Sequence, residues 1–420
     1  MSSNWVNLTL AEVADTNPRP EKGKYADDLE VSFVPMRLMQ KDGTFEAAES
    51  RTFGELKKGY TFFAENDVLF AKITPCMENG KIGVARRLVN GIGFGTTEFH
   101  VVRAGEKVTP RFLLHFLRQG RVLNAAAANM KGTAGQKRLP IGWLRALPIS
   151  VPPLAEQKRI VAKIDELFSD IDAGNAALVA SKRDVAACHQ ATLNALVLGT
   201  LDNPDCARVL RDGKPVLPEG WRWTTLGEVS EVVKYGTGDK AQSEETSIPV
   251  LRILNVKQGQ IVAADLKYMP ESWADLDKYR LCKGDLLFIR TNGSRDLVGT
   301  AAMYAGHPEN AVCASYLITV RLDACLAMPE FVLHCLNSAF GRGYIASVVS
   351  QVGQANVNGT KLKAFPIPLP PLSEQARLSA QADEMLSQLE ALQADVMLAA
   401  RQSDQLRQSV LAAAFSGQLI

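Results

Sequence analysis

Four short stretches of the chain hold the residues best suited to chemistry. They are "KITPCMENGKIGVARR" (72–87), "MKGTAGQKR" (130–138), "RTNGSR" (290–295) and "SQVGQANVNGTK" (350–361). Each mixes cations with glycine, hydroxyls and amides. Arginine, lysine, asparagine and glutamine side chains can fork onto the edges of base pairs, and glycine lets backbone approach a phosphate closely. The candidates in the first half are Lys72, Thr74, Lys81, Arg86, Arg87, Lys131, Gly135, Gln136, Lys137 and Arg138. In the second half they are Arg252, Arg290, Asn292, Ser294, Arg295, Gln354, Asn356 and Lys361. Taken singly, each stretch also reads as a solvated turn. Lys72 and Arg290 occupy corresponding places in a longer repeat, as do Gly135-Gln136 and Gly353-Gln354, and that correspondence points to a shared role.

Signals for catalysis are poor. There is no Gly-x-x-x-x-Gly-Lys-Ser/Thr phosphate loop and no Asn/Asp-Pro-Pro-aromatic tetrad. "GIGFG" (91–95) runs into "TTEFHVV", which reads as a strand, whereas a dinucleotide loop opens a helix. The five histidines have no metal spacing, and His115 and His334 read as scaffold residues inside helices. The seven cysteines are scattered without a Cys-x-x-Cys pair, which suits a reducing cytoplasm better than a disulfide framework or zinc site. The triplets at Asn7, Asn292 and Asn358 are then chance matches to a glycosylation acceptor. No secretory leader is expected from Met1-Ser2-Ser3-Asn4-Trp5, and no run is long and apolar enough to span a membrane.

The elements that position these residues are written twice. "VPPLAEQKRI" (151–160) echoes "LPPLSEQARL" (369–378), 218 positions on. At the same offset Glu156, Gln157, Arg159, Asp165 and Glu166 recur as Glu374, Gln375, Arg377, Asp383 and Glu384. Upstream, "NDVLFAK" (66–72) echoes "GDLLFIR" (284–290), and "PRFLLHFL" (110–117) echoes "PEFVLHCL" (329–336). The period is too long for a solenoid, so each copy is a whole domain with an appendage.

The appendages at 154–200 and 372–420 read as long helices. No proline interrupts them until their ends, and Gly199 and Gly417 sit where a helix wants glycine after its last turn. Ile164, Ile171, Leu178 and Val185 fall at heptad spacing in the first, with Ile160 and Leu167 beginning a second row. In the second helix, Leu378, Met385 and Leu392 make one row, and Ala382, Leu389, Val396, Ser403 and Val410 its neighbour. Proline clusters before each helix predict a stiff extended strap. Residues 1–153 and 201–371 hold β-branched and aromatic runs broken by glycine, with one helical piece each near 110–127 and 329–347. The fold class expected is therefore α+β: two mixed α/β domains joined by two long antiparallel coiled-coil helices, with a pseudo-two-fold internal repeat. A two-fold object suits a two-fold partner such as duplex DNA.

Charge qualifies this. The formal balance of the whole chain is +2. Residues 1–153 carry 21 Lys+Arg against 15 Asp+Glu, residues 201–371 carry 18 against 18, and the two helices 8 against 12. Binding by bulk charge is disfavoured, while locally basic faces remain.

In this arrangement the chain resembles the DNA specificity subunit of type I restriction–modification systems. The resemblance rests on "PPLAEQKRIVAKIDELF", "FAKITPCMENGKIG", "GFGTTEFHV", "GDLLFIRTNGS" and the ending Val410-Leu411-Ala412-Ala413-Ala414-Phe415-Ser416-Gly417-Gln418-Leu419. It covers essentially the entire chain. The start of the second helix, "ARLSAQADEML", departs by being richer in alanine and less basic. The resemblance implies two target-recognition domains (1–153 and 201–371), each reading half of a split duplex DNA target, and two spacer helices (154–200 and 372–420). It further implies a cytoplasmic, non-catalytic subunit without cofactor. Two methyltransferase subunits would carry S-adenosylmethionine, and two motor–nuclease subunits would use ATP and magnesium. Two other readings stay open: a methyltransferase with an unrecognised cofactor site, and a coiled-coil scaffold that binds only protein.

Overall fold

The computed structural model describes residues 4–40, 43, 45, 49–133, 135–201, 210–211, 214–257, 259–349 and 355–419. The chain divides into two compact units. One comprises Met1–Val179 with Met397–Ile420, the other Ala180–Val396. Each unit therefore contains a mixed α/β body, the beginning of one long helix and the end of the other.

In the first unit one antiparallel sheet runs in the order Ala14–Thr16, Phe99–Ala104, Val68–Ala71, Ile82–Val84. A second sheet runs Glu49–Thr52, Glu30–Val34, Ile92–Gly95, Thr61–Ala64, with one parallel pair at its centre. Val68, Leu69, Phe70 and Ala71 are all fully buried, so the strand reads as a continuous apolar run rather than an alternating one. Its two faces feed two different cores: Val68 and Phe70 face the helices Pro110–Leu117 and Gly120–Ala128, and Leu69 and Ala71 pack with Val34, Phe63 and Phe99.

In the second unit a six-stranded sheet is centred on Leu317–Leu322 and Leu286–Ile289, with the helices Pro329–Asn337 and Ala339–Val348 against it. A smaller three-stranded sheet runs Lys267–Tyr268, Pro249–Leu251, Val312–Cys313.

The strap before each long helix is a β-strand. Pro148–Val151 pairs antiparallel with Val6–Thr9, and Pro366–Leu369 with Arg222–Thr225. Proline fits there because each strand belongs to a two-stranded ribbon and always has a free edge. The helices that follow are Leu154–Val197 and Leu372–Phe415, each of 44 residues. Both end in a Schellman turn: Gly199 and Gly417 take left-handed backbone with φ of 67° and 75°, and the amides of Thr200 and Gln418 reach back to the carbonyls of Ala195 and Ala413.

Ile160, Ile164, Ile171 and Val185 are buried, as the first helix's pattern predicts. In the second helix one predicted row keeps facing inward, while the other is buried only at its first member, Leu378, 2% exposed. Ala382, Val396 and Val410 are buried, whereas Met385 and Leu392 are 39% and 48% exposed. The buried neighbour of that row is Leu386, one position beyond Met385. An α-helix drifts about 20° per heptad from a strict seven-residue repeat, so an apolar spacing alone does not fix which of two adjacent rows turns inward.

Both bodies grip their helix at two points. Gln157, fully buried in the first turn, accepts from the Thr109 amide at 2.9 Å and donates to the carbonyls of Lys107 and Pro152 at 2.8 and 2.9 Å. Gln375 does the same with the Met328 amide and the carbonyls of Leu326 and Pro370, at 2.8, 3.1 and 2.9 Å. About two turns further along, Asp165 meets Arg111 and His115, and Asp383 lies 2.9 Å from His334. Both histidines are buried scaffold residues.

The end of the opposite helix completes each body. Phe415 packs its ring on Phe112 and Phe116, and the Gln408 side chain caps the Gly120 amide at 2.6 Å. In the other unit Leu196 and Val197 are fully buried in the core, and Asn194 accepts from the Phe340 amide at 3.4 Å.

Candidate nucleic-acid interface

In the first unit the candidates gather where the strand Val68–Ala71 ends. The Lys72 amide donates to the Glu98 carbonyl at 2.9 Å, and its own carbonyl accepts from Leu139 at 2.8 Å. Ile73 bridges to Arg138, and Arg138 to Lys131, so the turn at 74–80 and the loop 131–138 meet. Thr74 seals the junction, its amide and hydroxyl both donating to the Lys137 carbonyl. Lys131, Gly135, Gln136, Lys137 and Arg138 are exposed. Gly135 takes φ of 81°, a left-handed turn position. Underneath, His100 donates through Nε2 to the Leu139 carbonyl at 2.8 Å, and burial lowers its pKa. Lys81 turns its amine to the Met36 carbonyl at 3.3 Å.

Arg86 and Arg87 are not part of this gathering. The register pairs Val68 with Val84 and brings Ala71 against Lys81, so the two arginines lie at the opposite end of the strand pair. Closeness along "KIGVARR" is not closeness in space, because a hairpin strand separates the ends. There the Arg87 and Leu88 amides donate to Glu65.

In the second unit the same construction recurs. The Arg290 amide donates to the Tyr316 carbonyl at 2.8 Å, and the Arg290 carbonyl accepts from Val357 at 2.9 Å. Thr291–Asn292 pairs with Ala355–Asn356. The Arg290 guanidinium lies 4.7 Å above the Tyr235 ring, whose hydroxyl accepts from the Gly359 amide. Asn292 accepts from the Ser294 amide at 2.8 Å and shapes its turn.

Two candidate cations also have a structural duty. Arg295 donates to the Ala346 carbonyl at 2.8 Å and Lys361 to the Val348 carbonyl at 2.5 Å, both at the C-terminus of Ala339–Val348, where cations are favoured. Arg252 ends the strand Pro249–Leu251 and donates to the Asp265 carbonyl, holding its own loop. Gly353 and Gln354 lie outside the described residues.

Three further residues at these rims are neither cations nor amides. Glu98 accepts from Arg138 at 2.7 and 3.0 Å, and that bond lowers its pKa, helped by the charge of Lys72. Tyr235 and the 57%-exposed Tyr316 flank Arg290. The signal that finds Glu98 and Tyr316 is the repeat itself, since they too stand 218 positions apart.

Each rim stands on a buried ion pair at the other end of its strand. Arg103 grips Asp67 at 2.8 and 2.7 Å, and Arg321 grips Asp285 at 2.8 and 2.8 Å. Among the described residues no three His, Cys, Asp or Glu side chains are grouped to hold a metal ion, and no helix is long and apolar enough to cross a membrane.

Two α/β bodies thus carry rims on the same backbone pattern, one bearing Lys72, Glu98 and Arg138, the other Arg290, Tyr316 and Asn356. The chain belongs to the type I restriction modification DNA specificity domain family, whose model matches it twice, at residues 2–179 and 218–394. It is 27% identical to the type I restriction enzyme EcoEI specificity subunit of Escherichia coli over 90% of this chain and 77% of that one. It is 28% identical to the StySPI specificity subunit of Salmonella potsdam, over 76% of this chain and 67% of that one. In fold it is similar to a chain solved in a study of complex assembly and conformational transition of the type I R-M system, with a TM-score of 0.79 at 21% identity, over 100% of this chain and 99% of that one. It is also similar to the HsdS subunit from Thermoanaerobacter tengcongensis, with a TM-score of 0.58 at 21% identity, over 100% of this chain and 98% of that one.

Proposed function

We propose that this chain is the DNA target-recognition subunit of a type I restriction–modification system, each α/β domain reading one half of a split duplex sequence. The observation that carries this reading is the double family match, one on each half of the chain, each taking in a rim of Lys72 or Arg290 type. The chain supplies specificity and no chemistry of its own, and it takes no cofactor. S-adenosylmethionine belongs to two methyltransferase subunits, and ATP with magnesium to two motor–nuclease subunits. The complex works on DNA in the cytoplasm.

The two long helices run antiparallel as a coiled coil, relate the domains by a pseudo-two-fold axis and act as a ruler. At about 1.5 Å per residue, a helix of this length extends about 66 Å. Four residues inserted near Gly199 add about 6 Å, close to two base-pair steps of about 3.4 Å. Methylation mapping of a host carrying the complete system with this insertion tests the reading. A spacer longer by one or two base pairs with both half-sites unchanged is expected. An active variant with an unaltered spacer would reduce the helices to a docking platform.

A further inference from the structure

Three positions in each domain stand on one and the same backbone frame. In the first domain the Lys72 amide bonds the Glu98 carbonyl, Leu139 bonds the Lys72 carbonyl, and Ile73 bridges Arg138. In the second, the Arg290 amide bonds the Tyr316 carbonyl, Val357 bonds the Arg290 carbonyl, and Thr291 pairs with Asn356. Every partner is displaced by 218 residues. The side chains on this frame differ in class: lysine, glutamate and arginine in one domain, and arginine, tyrosine and asparagine in the other.

The frame consists only of N–H and C=O groups. It is therefore indifferent to which side chains stand on it. Arg138 and Tyr316 are the most open of these side chains, 47% and 57% exposed, while Glu98 is 22% exposed and Lys72, Arg290 and Asn356 are half-buried. In the first domain they form a charged set, with Arg138 on Glu98 and Lys72 close enough to bias the Glu98 carboxyl. In the second, Arg290 stacks on Tyr235 and Tyr316 stands outward.

We propose that these three stations are the specificity-determining set of each domain: Lys72, Glu98 and Arg138 for one half-site, and Arg290, Tyr316 and Asn356 for the other. The inference rests on the target-recognition reading above. A guanidinium or ammonium suits the O6 and N7 of guanine, and a carboxylate accepts from the N4 amine of cytosine, so the first set fits a G·C pair. An asparagine amide matches adenine and an aromatic ring the thymine methyl, so Tyr316 and Asn356 fit an A·T pair.

The test uses the full chain with its methyltransferase partner, a library of randomised duplexes, sequencing of the bound fraction and methylation mapping. The variants are the transplant K72R/E98Y/R138N and the conservative Glu98→Gln. The transplant is expected to lose preference for at least one base pair of the first half-site by about tenfold. The second half-site, the spacer and the melting temperature should be unchanged. Complete loss of reading at the first half-site alone also supports the proposal. A folded transplant that selects the parental first half-site overturns it. Should the transplant not fold, Glu98→Gln decides: a shift at one base pair supports the stations, and parental selection overturns them. A wild-type complex that selects no split sequence overturns the target-recognition reading and the stations with it, whereas wild-type selection beside unaltered variants overturns the stations alone.

Discussion

The two domains agree where they hold themselves together and disagree where they face outward. The buried pairs Asp67–Arg103 and Asp285–Arg321, the glutamines Gln157 and Gln375, and the His–Asp contacts at His115 and His334 match in partner and nearly in distance. The stations at the rim keep their backbone bonds and change their side chains. The second sheet diverges altogether: in the first domain it has four strands, as many as its companion, around Phe33, Phe53, Phe62 and Phe94, and in the second three strands around Ile248, Val250 and Val312. Sameness marks the residues that hold the body to its helix, and difference marks the residues free to choose a partner.

The hardest test of this comparison is the buried pair. Arg103→Ala would strand Asp67, 2% exposed, and Arg321→Ala would strand Asp285, 0% exposed. Each should cost about 3–5 kcal/mol, because an uncompensated buried carboxylate is left behind. Denaturant midpoints of both variants should fall together, and a near-neutral result in one domain alone would break the equivalence. Gln157→Ala and Gln375→Ala come next. Each removes three hydrogen bonds to backbone, so each should cost about 2 kcal/mol. Matching losses in thermal unfolding would sharpen the comparison.

A smaller effect separates the domains. Asp165 is met by Arg111 as well as His115, whereas Asp383 faces His334 with Glu330 nearby at the position equivalent to Arg111. Asp165→Asn should cost about 1 kcal/mol and Asp383→Asn, at 59% exposure, only a few tenths. Equal costs would show that the arginine contributes nothing.

The smallest effect is in pH. Burial lowers the pKa of His100 and His115 in the first domain and of His334 in the second. The charges around them are Lys72, Arg145 and Glu98 for His100, and Asp165, Arg111 and Arg118 for His115. Around His334 they are Asp383, Glu330 and His189. With each folded pKa below the unfolded value of about 6.5, the unfolded chain takes up protons first as pH falls. Stability is therefore full above about pH 6.5 and is lost progressively below it, down through the folded pKa values. Melting should drop by roughly 2–4 °C between pH 7 and pH 5.5. Hydrogen exchange should place more of the loss in the first domain, with its two such histidines. A loss larger in the second would reverse the expected order.

Much of this organisation is legible in the sequence. The repeat, both helix starts, both C-terminal glycines and the recurrence of Gln157 as Gln375 can be read directly, because each depends on local chemistry or on comparison within the chain. The duty of those glutamines cannot, since their partners are backbone groups of Thr109 and Met328, which carry no side-chain signature. Arg86 and Arg87 share a sequence stretch with Lys72 but lie at the other end of the strand pair, because the hairpin turns sequence neighbours into opposite ends. Arg295 and Lys361 read as free cations, while the structure commits part of their hydrogen-bonding to a helix end. Leu392 reads as inward because spacing gives a row but not its direction.

The amide–carbonyl frame beneath the stations has an evolutionary consequence. Substitution at Lys72, Glu98 or Arg138 leaves the backbone bonds of the frame in place, although a change at Glu98 or Arg138 removes the ion pair between them; on the proposed reading such mutants stay folded while their preferences change. Most surface changes away from special contacts alter stability by less than about 0.5 kcal/mol. A lineage can then cross from one target to another through viable intermediates, without a compensating change elsewhere. Substitution at Asp67, Gln157 or Arg321 instead breaks buried bonds that hold the body together. The molecule separates the letters it can afford to rewrite from those it cannot.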